Sequence, residues 1–250
     1  MPRLSASMED YLRAIYILAE REGEVTTTRL AEYLQVAPPS VTGMLKKLAR
    51  LRLVHYTPYR GVALTRAGRR IALEVIRHHR LLELFLMEAL GYAWDEVHAE
   101  ADRLEHAISE ALEERIAAML GHPAFDPHGD PIPTRAGDLP ASAACRLSEA
   151  PIGVACSVLR VTDEVATLRQ AARAGLRPGA RVTVQEVLPG AMLRIRVGDQ
   201  EHRIRRRLAE RVFVQVPSAE EEASHAPAAV ADHAGTGGTG MGGDPGGAAP

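Results

Sequence analysis

The chain has 250 residues, 46% hydrophobic, 25% charged and 4% aromatic, the composition of a water-soluble globular protein. No apolar run approaches the roughly 20 residues of a membrane-spanning helix, and two cysteines, Cys145 and Cys156, are too few for a disulfide framework, so a reducing cytoplasm is the expected setting. Thirty basic against 32 acidic residues argues against a nucleic-acid partner, but the sum hides a polarised chain: net +6 over residues 1–73, −9 over 74–140, +6 over 141–217 and −5 over 218–250.

Ser7-Met8-Glu9-Asp10 has capping-box spacing, and the apolar run after it (Leu12, Ile15, Tyr16, Leu18, Ala19) stops at Gly23, which predicts a first helix over 7–22. Thr26–Thr28 opens a short helix ending near Gln35. Ala37-Pro38-Pro39-Ser40 opens a third, running to about Leu51, with proline where the first turn has no donor to lose. LVHY, a turn at 57–61 and VAL then predict a hairpin. Two short helices joined by a tight turn and followed by a hairpin describe a winged helix-turn-helix, whose second helix enters the major groove. Ser40 and Thr42 suit phosphates, Pro39 a thymine methyl, and Lys46, Lys47 and Arg50 the backbone; Arg60 at the hairpin tip suits a phosphate beside the groove. A protein-interaction module with a solvated lysine face is the plainer reading; the local charge of +6 favours double-stranded DNA.

Two long amphipathic helices are predicted next, over 65–90 and 94–120, the second with Val97, Ala101, Leu104, Ile108, Leu112 and Ile116 as its apolar stripe. Beside a DNA-reading unit they suit a homodimer interface, since operators are usually paired, palindromic half-sites. Alongside the stripe run His98, Asp102, Glu105 and His106, and the preceding helix carries His79 and Glu83 four residues apart. Imidazoles and carboxylates at helical spacing suit a divalent cation. They equally suit a wet face with surface pairs, and Asp10 has a second reading as the acid of the capping box, so spacing alone leaves both readings open.

The stretch HRLLELFLMEALGYAWDEVHAEADRLEHAIS, the DPHGDPIP motif at 126–133 and the winged helix before them resemble the metal-dependent repressors of the diphtheria-toxin-repressor and manganese-transport-regulator family, from Ser7 to Val216. By that resemblance a primary metal site falls on Asp10, Asp102, Glu105 and His106. An ancillary site falls on His79, Glu83 and His98, completed by a third-domain carboxylate, Glu164 with Asp163 as the alternative. Thr167 stands where some members have a further amide ligand, and Arg13 where another manganese-branch ligand falls; neither coordinates well, so two separated sites are expected rather than a close pair. The iron-sensing branch has methionine and cysteine where Asp10 and Asp102 stand. Hard oxygen donors imply Mn(II), with Fe(II) second. Gly43 stands where some members have a glutamine, which leaves base reading to Pro39, its neighbours or DNA shape.

The expected fold is mostly α with a small β domain. A winged helix-turn-helix over 1–73 is followed by a helical metal-binding and dimerisation domain over 74–140, a linker over 141–151, an SH3-like β-barrel over 152–217 with one helix near 164–174, and a disordered tail over 218–250. Cys145 and Cys156 belong to neither metal cluster. The implied function is a metal-gated repressor of metal-uptake genes, not an enzyme. A winged-helix regulator gated by a small organic ligand is the nearer rival, and a metalloenzyme the more distant one, lacking a nucleophile elbow or phosphate loop.

Overall fold

The computed structural model describes residues 4–58, 60–140 and 144–217. Tyr59 of the hairpin turn and the tail expected over 218–250 lie outside them. Among the described residues no helix is long and apolar enough to cross a membrane.

Helices α1 (Ala6–Glu22), α2 (Thr27–Leu34) and α3 (Pro38–Arg50) lead into a hairpin of β1 (Val54–Thr57) and β2 (Gly61–Leu64). Leu12 and Ile15 of α1, Leu30 of α2, Leu45 and Leu48 of α3 and Val62 of β2 share one core. Each such side chain stabilises the unit by about 2 kcal/mol when removed from water. The capping box does not form. Helix α1 starts at Ala6, with the amides of Met8 and Glu9 bonded to Ser5 O, so Ser7 lies inside the helix. Burial of Met8 in that core draws the helix start back past Ser7.

Helix α4 (Arg66–Leu90) begins and ends as its sequence predicts: Thr65 Oγ1 accepts from Gly68 N, and Gly91, at φ 72°, closes it in the left-handed region where glycine has no Cβ to strain. It packs between α1 and the next helix, α5 (Val97–Leu104). The single helix expected over 94–120 is two, α5 and α6 (Glu110–Met119), with residues 105–109 between them. His78 Nδ1 lies 3.2 Å from the Glu105 carbonyl, engaging a group that a continuing helix would use, and Ser109 Oγ then caps α6 by accepting from Leu112 N. Leu112, counted on the apolar stripe, is exposed; α6 buries Ile116 and Ala117 instead.

Residues 121–140 have irregular backbone, yet their centre is packed. Asp126 Oδ1 accepts from the amides of His128 and Asp130, Trp94 Nε1 donates to Pro127 O, and Asp126, His128, Asp130 and Ile132 are buried. The end of the stretch expected as a linker, residues 145–149, is an edge strand, β3 (Cys145–Arg146), and a 3-10 turn.

Strands β4 (Ala155–Val161), β5 (Arg181–Leu188), β6 (Met192–Val197), β7 (Gln200–Arg205) and β8 (Val212–Gln215) join β3 in an antiparallel sheet ordered β3-β8-β4-β5-β6-β7. The small β domain expected from the sequence is present, but as an open sheet with β3 and β7 as its edges rather than the expected closed barrel, and it begins at Cys145 rather than at 152. Helices α7 (Val165–Arg173) and α8 (Arg206–Ala209) cover its core, which holds Cys156 and Trp94; Cys145 is half-buried on β3. The 126–130 loop is stitched to the sheet where Val161 N donates to His128 O.

Gly129 permits that seam: at φ 87°, an added Cβ would stand 1.8 Å from Leu159 O. Gly129→Ala is expected to lower stability by about 2 kcal/mol or more, from positive-φ strain plus forced displacement of β4. A urea-unfolding midpoint equal to that of the parent would contradict this.

Candidate metal centre and nucleic-acid interface

On α3, Val41, Leu45 and Leu48 face the core, which turns Pro39, Ser40, Lys46, Lys47 and Arg50 outward. Gly43 lies on the same open side, with nothing near its missing side chain. Lys46, Lys47, Arg50 and the hairpin's Arg60 have no ion-pair partner among the described residues, so their charge is available to an outside polyanion. The Thr42 hydroxyl donates back to Pro38 O at 3.2 Å within the helix.

Sixty residues further along, the histidine–carboxylate residues converge. Asp10 reaches from α1 to His106, with Oδ1 2.8 Å from Nε2, and Glu105 Oε1 stands 3.2 Å from the same nitrogen. Sequence reasoning missed Glu9, whose Oε2 lies 2.7 Å from His106 Nδ1 and fixes the ring. Its signal was adjacency: Glu9 shares the acidic turn with Asp10, and α1 sets its side chain beside the 105–109 break. Burial alone would lower the His106 pKa, but the bonds to Glu9 and Asp10 outweigh it and raise the value above the ordinary histidine range.

A second cluster joins α4 to α5. His79 Nε2 and His98 Nδ1 each lie 3.0 Å from Glu83 Oε1, and 3.0 Å from each other. Asp163 of the sheet domain approaches it, its Oδ2 3.7 Å from His98 Nδ1. Glu164, the first choice from sequence, is exposed and turned away: its Oε2 accepts from Thr167 Oγ1 and lies 3.5 Å from Arg211. Glu164 is the N-cap residue of α7, where the chain turns and adjacent side chains diverge. Burial opposes charging of His79, but Glu83 and Glu105 prevail and push it up to about 10; His79 in turn holds Glu83 well below the usual carboxylate range.

Asp102 is not brought to Asp10 and His106. It points between the clusters, 3.4 Å from His79 Nδ1 and 3.5 Å from His98 Nε2, held by Arg13. The Arg13 guanidinium donates to Glu105 Oε2 (2.7 Å) and Asp102 Oδ1 (2.9 Å), and lies 3.0 Å from His79 Nδ1. The residue that cannot coordinate thus occupies the ground between the two clusters. Asp10, Glu105 and His106 form one group able to hold a cation, and His79, Glu83 and His98 another. Cys145 and Cys156 stand in neither.

A winged helix with a free basic face, joined to a helical body holding buried histidine–carboxylate groups, defines a DNA-binding regulator with a cation-sized site. The family models "Iron dependent repressor, N-terminal DNA binding domain", "Iron dependent repressor, metal binding and dimerisation domain" and "FeoA domain" match residues 3–62, 65–134 and 145–216. The iron-dependent repressor IdeR of Mycobacterium tuberculosis is 37% identical over 215 residues, 81% of this chain and 93% of that protein. The diphtheria toxin repressor of Corynebacterium glutamicum is 38% identical over 133 residues, 53% of this chain and 58% of that one. A solved manganese-dependent transcriptional repressor in complex with manganese superposes with a TM-score of 0.79 at 36% identity, over 84% of this chain and 100% of that chain; ScaR with bound Cd2+ gives 0.72 at 32%, over 84% and 99%. The chain belongs to the iron-dependent repressor family.

Arg13 is the internal counter-charge of Glu105 and Asp102. Arg13→Gln is expected to lower the stability of the metal-free protein by about 3 kcal/mol, since a buried carboxylate loses its partner. Added Mn(II) should recover part of the loss. Denaturant unfolding with and without Mn(II) measures both, and a loss below about 1 kcal/mol would deny Arg13 that role.

Proposed function

We propose that this chain is a Mn(II)-dependent transcriptional repressor, with Fe(II) its second ion, that binds a palindromic operator as a homodimer and silences metal-uptake genes when loaded. The observation that carries the reading is Glu105 Oε1, a buried oxygen without a hydrogen-bond partner among the described residues, facing His106 Nε2. An unsatisfied buried acceptor costs about 1–3 kcal/mol, more when charged, and a cation is the partner that the surrounding donors fit. The relatives support it, being named as iron- and manganese-dependent repressors; that also sets the metalloenzyme reading aside. Asp10 and Glu105 are hard oxygen donors and favour Mn(II) over thiophilic ions. The organic-effector alternative has less support, because the groups that converge are carboxylates, imidazoles and a guanidinium rather than apolar surface.

Asp10, Glu105 and His106 would hold one ion, and His79, Glu83, His98 and Asp163 a second. Bound there, the metal would supply positive charge to carboxylates that otherwise pair with the imidazoles and Arg13. The rest belongs to the chain. Asp10 is part of α1, which packs in the core of the winged helix, whereas Glu105 and His106 end the helix that packs on α4. Drawing the three together fixes the reading head at one angle to the body. Two heads in a dimer then meet successive major grooves together, and the population competent for DNA rises. Glu9 keeps His106 Nε2 turned toward Asp10.

Fluorescence anisotropy with an operator duplex tests this. Mn(II) should tighten binding at least about tenfold over a chelator-treated sample, a coupling of ~1.4 kcal/mol, and Glu105→Gln should abolish the difference. Equal affinity with and without metal would sink the proposal. A pH dependence of known sign follows. His79 is pushed up to about 10, and His98 and His106 are raised from the ordinary histidine value by their carboxylate partners, so protons on these rings compete with a cation. Mn(II) affinity should therefore fall as pH is lowered, with protons released on binding. Calorimetry in two buffers of different ionisation enthalpy reads that release, and identical heats would refute it.

A further inference from the structure

We propose that His78, held in place by Glu113, is a positioning residue for the Asp10–Glu105–His106 site. By bonding the Glu105 carbonyl, it sets the helix break that lets two adjacent side chains face one cation. The inference rests on the metal-gated reading above and concerns how that site is shaped. His78 is no ligand itself, since both its ring nitrogens are engaged elsewhere.

In an unbroken helix, neighbouring side chains point about 100° apart and do not face each other. Glu105 and His106 are neighbours, yet Glu105 Oε1 lies 3.2 Å from His106 Nε2, and Asp10 joins them with its donor within 4.8 Å of both. The backbone explains how. Glu105 N still donates to Ala101 O, four residues back, at 2.9 Å, but Ala107 N donates to Leu104 O, only three back, at 2.8 Å. The turn tightens at Glu105. In a continuing helix the Glu105 carbonyl would accept from Ser109 N, four residues on. Among the described residues no backbone amide reaches it, and the bond it accepts comes from His78 Nδ1 at 3.2 Å. Without that donor α5 would run on and turn His106 away from Glu105.

The direction of the ring is fixed from its other side. His78 Nε2 lies 3.1 Å from Glu113 Oε2 of α6, Glu113 Oε1 accepts from Arg77 Nε, and Arg77 Nη1 donates on to Pro133 O at 2.9 Å. His78 and Glu113 are both buried. A carbonyl only accepts, so Nδ1 carries a proton, and a flipped ring would give up both bonds. Two consecutive histidines of α4 thus hold Glu105 at both ends: His79 Nδ1 lies 2.6 Å from its carboxylate, and His78 takes its carbonyl. Glu113 draws α6 to α4 on the far side of the break, so the 105–109 segment is held at each end. Partners of this kind, one bond removed from the ligands, set ligand geometry and affinity.

The test is calorimetric titration with Mn(II) of the full-length chain carrying His98→Ala, which removes a donor of the other cluster and leaves this site to be read. His78→Leu, with no donor, should weaken binding in that background at least about tenfold. His78→Asn should bind within about threefold of the background, because its amide N–H also branches from Cγ and reaches the carbonyl. The asparagine has no atom in the place of Nε2, so both variants lose the Glu113 contact. A merely structural role would weaken Mn(II) binding by the same factor in both. Equal losses in the two variants, or no loss in His78→Leu, would overturn the inference while leaving the metal-gated reading intact. Absence of Mn(II) binding in the His98→Ala chain would overturn the assignment of an ion to Asp10, Glu105 and His106, and this inference with it. If the variants fail to fold, crystals of the Mn(II)-loaded parent decide. His78 Nδ1 on Glu105 O, with the ion bonded to Glu105 and His106, supports the role; the ion bonded to both with His78 turned away overturns it.

Discussion

Glu105 is a carboxylate closed off from water, and the surrounding structure is arranged to meet its charge. Its two oxygens look in opposite directions: Oε2 receives Arg13 and lies 2.6 Å from His79, while Oε1 looks toward His106 without a hydrogen bond. A buried anion is tolerated only where cations or donors surround it. Here they come from three separate stretches, α1, α4 and the break after α5. Holding those stretches to one point joins the winged helix to the helical body.

Arg13 and the proposed metal are two answers to the same charge. The guanidinium is planar, permanently charged and carried on α1, so it binds Glu105 and Asp102 with fixed directions and keeps the carboxylates gathered in the metal-free chain. It does not reach Asp10, 40% exposed at its side chain, or the second oxygen of Glu105, both of which lie beside His106 Nε2. The arrangement is therefore stable enough to persist and incomplete enough to respond. Because α1 contributes both Arg13 and Asp10 and shares a core with α3 through Leu12 and Ile15, the cluster is tied to the element that bears Lys46, Lys47 and Arg50.

The 126–130 loop makes the second connection. Its composition is that of a connector, rich in Pro, Gly and Asp, yet its side chains turn inward: Asp126 holds the turn, Trp94 caps Pro127, and Arg160 of the sheet pairs with Asp130 at 3.0 Å. The sheet is thereby seated against α4 and α5, close enough for Asp163 to reach His98. Burial of backbone polar groups in such a loop requires partners for each, and the aspartates supply them.

Local chemistry settled what was local. The core-facing periods of α1, α3 and α4, the proline start of α3, the Thr65 cap and the Gly91 stop are all legible in the chain, and with them the winged helix and the four-residue spacing of His79 and Glu83. Sequence also offered most of the clustered residues, through a motif whose separate pieces are each ambiguous. The rest depended on contacts between distant segments. The break after Glu105 arises because His78, a turn away on another helix, reaches its carbonyl; no periodicity records that. Which of Asp163 and Glu164 faces His98 depends on where α7 begins. Glu9, Asp102 and Arg13 took their places by packing, because a side chain's partner is fixed by the neighbouring element and not by its own helix. Sequence thus determined the donors and the frame that carries them. Tertiary structure alone decided which donors share a point, because a buried charge binds whichever counter-charge the fold brings within reach.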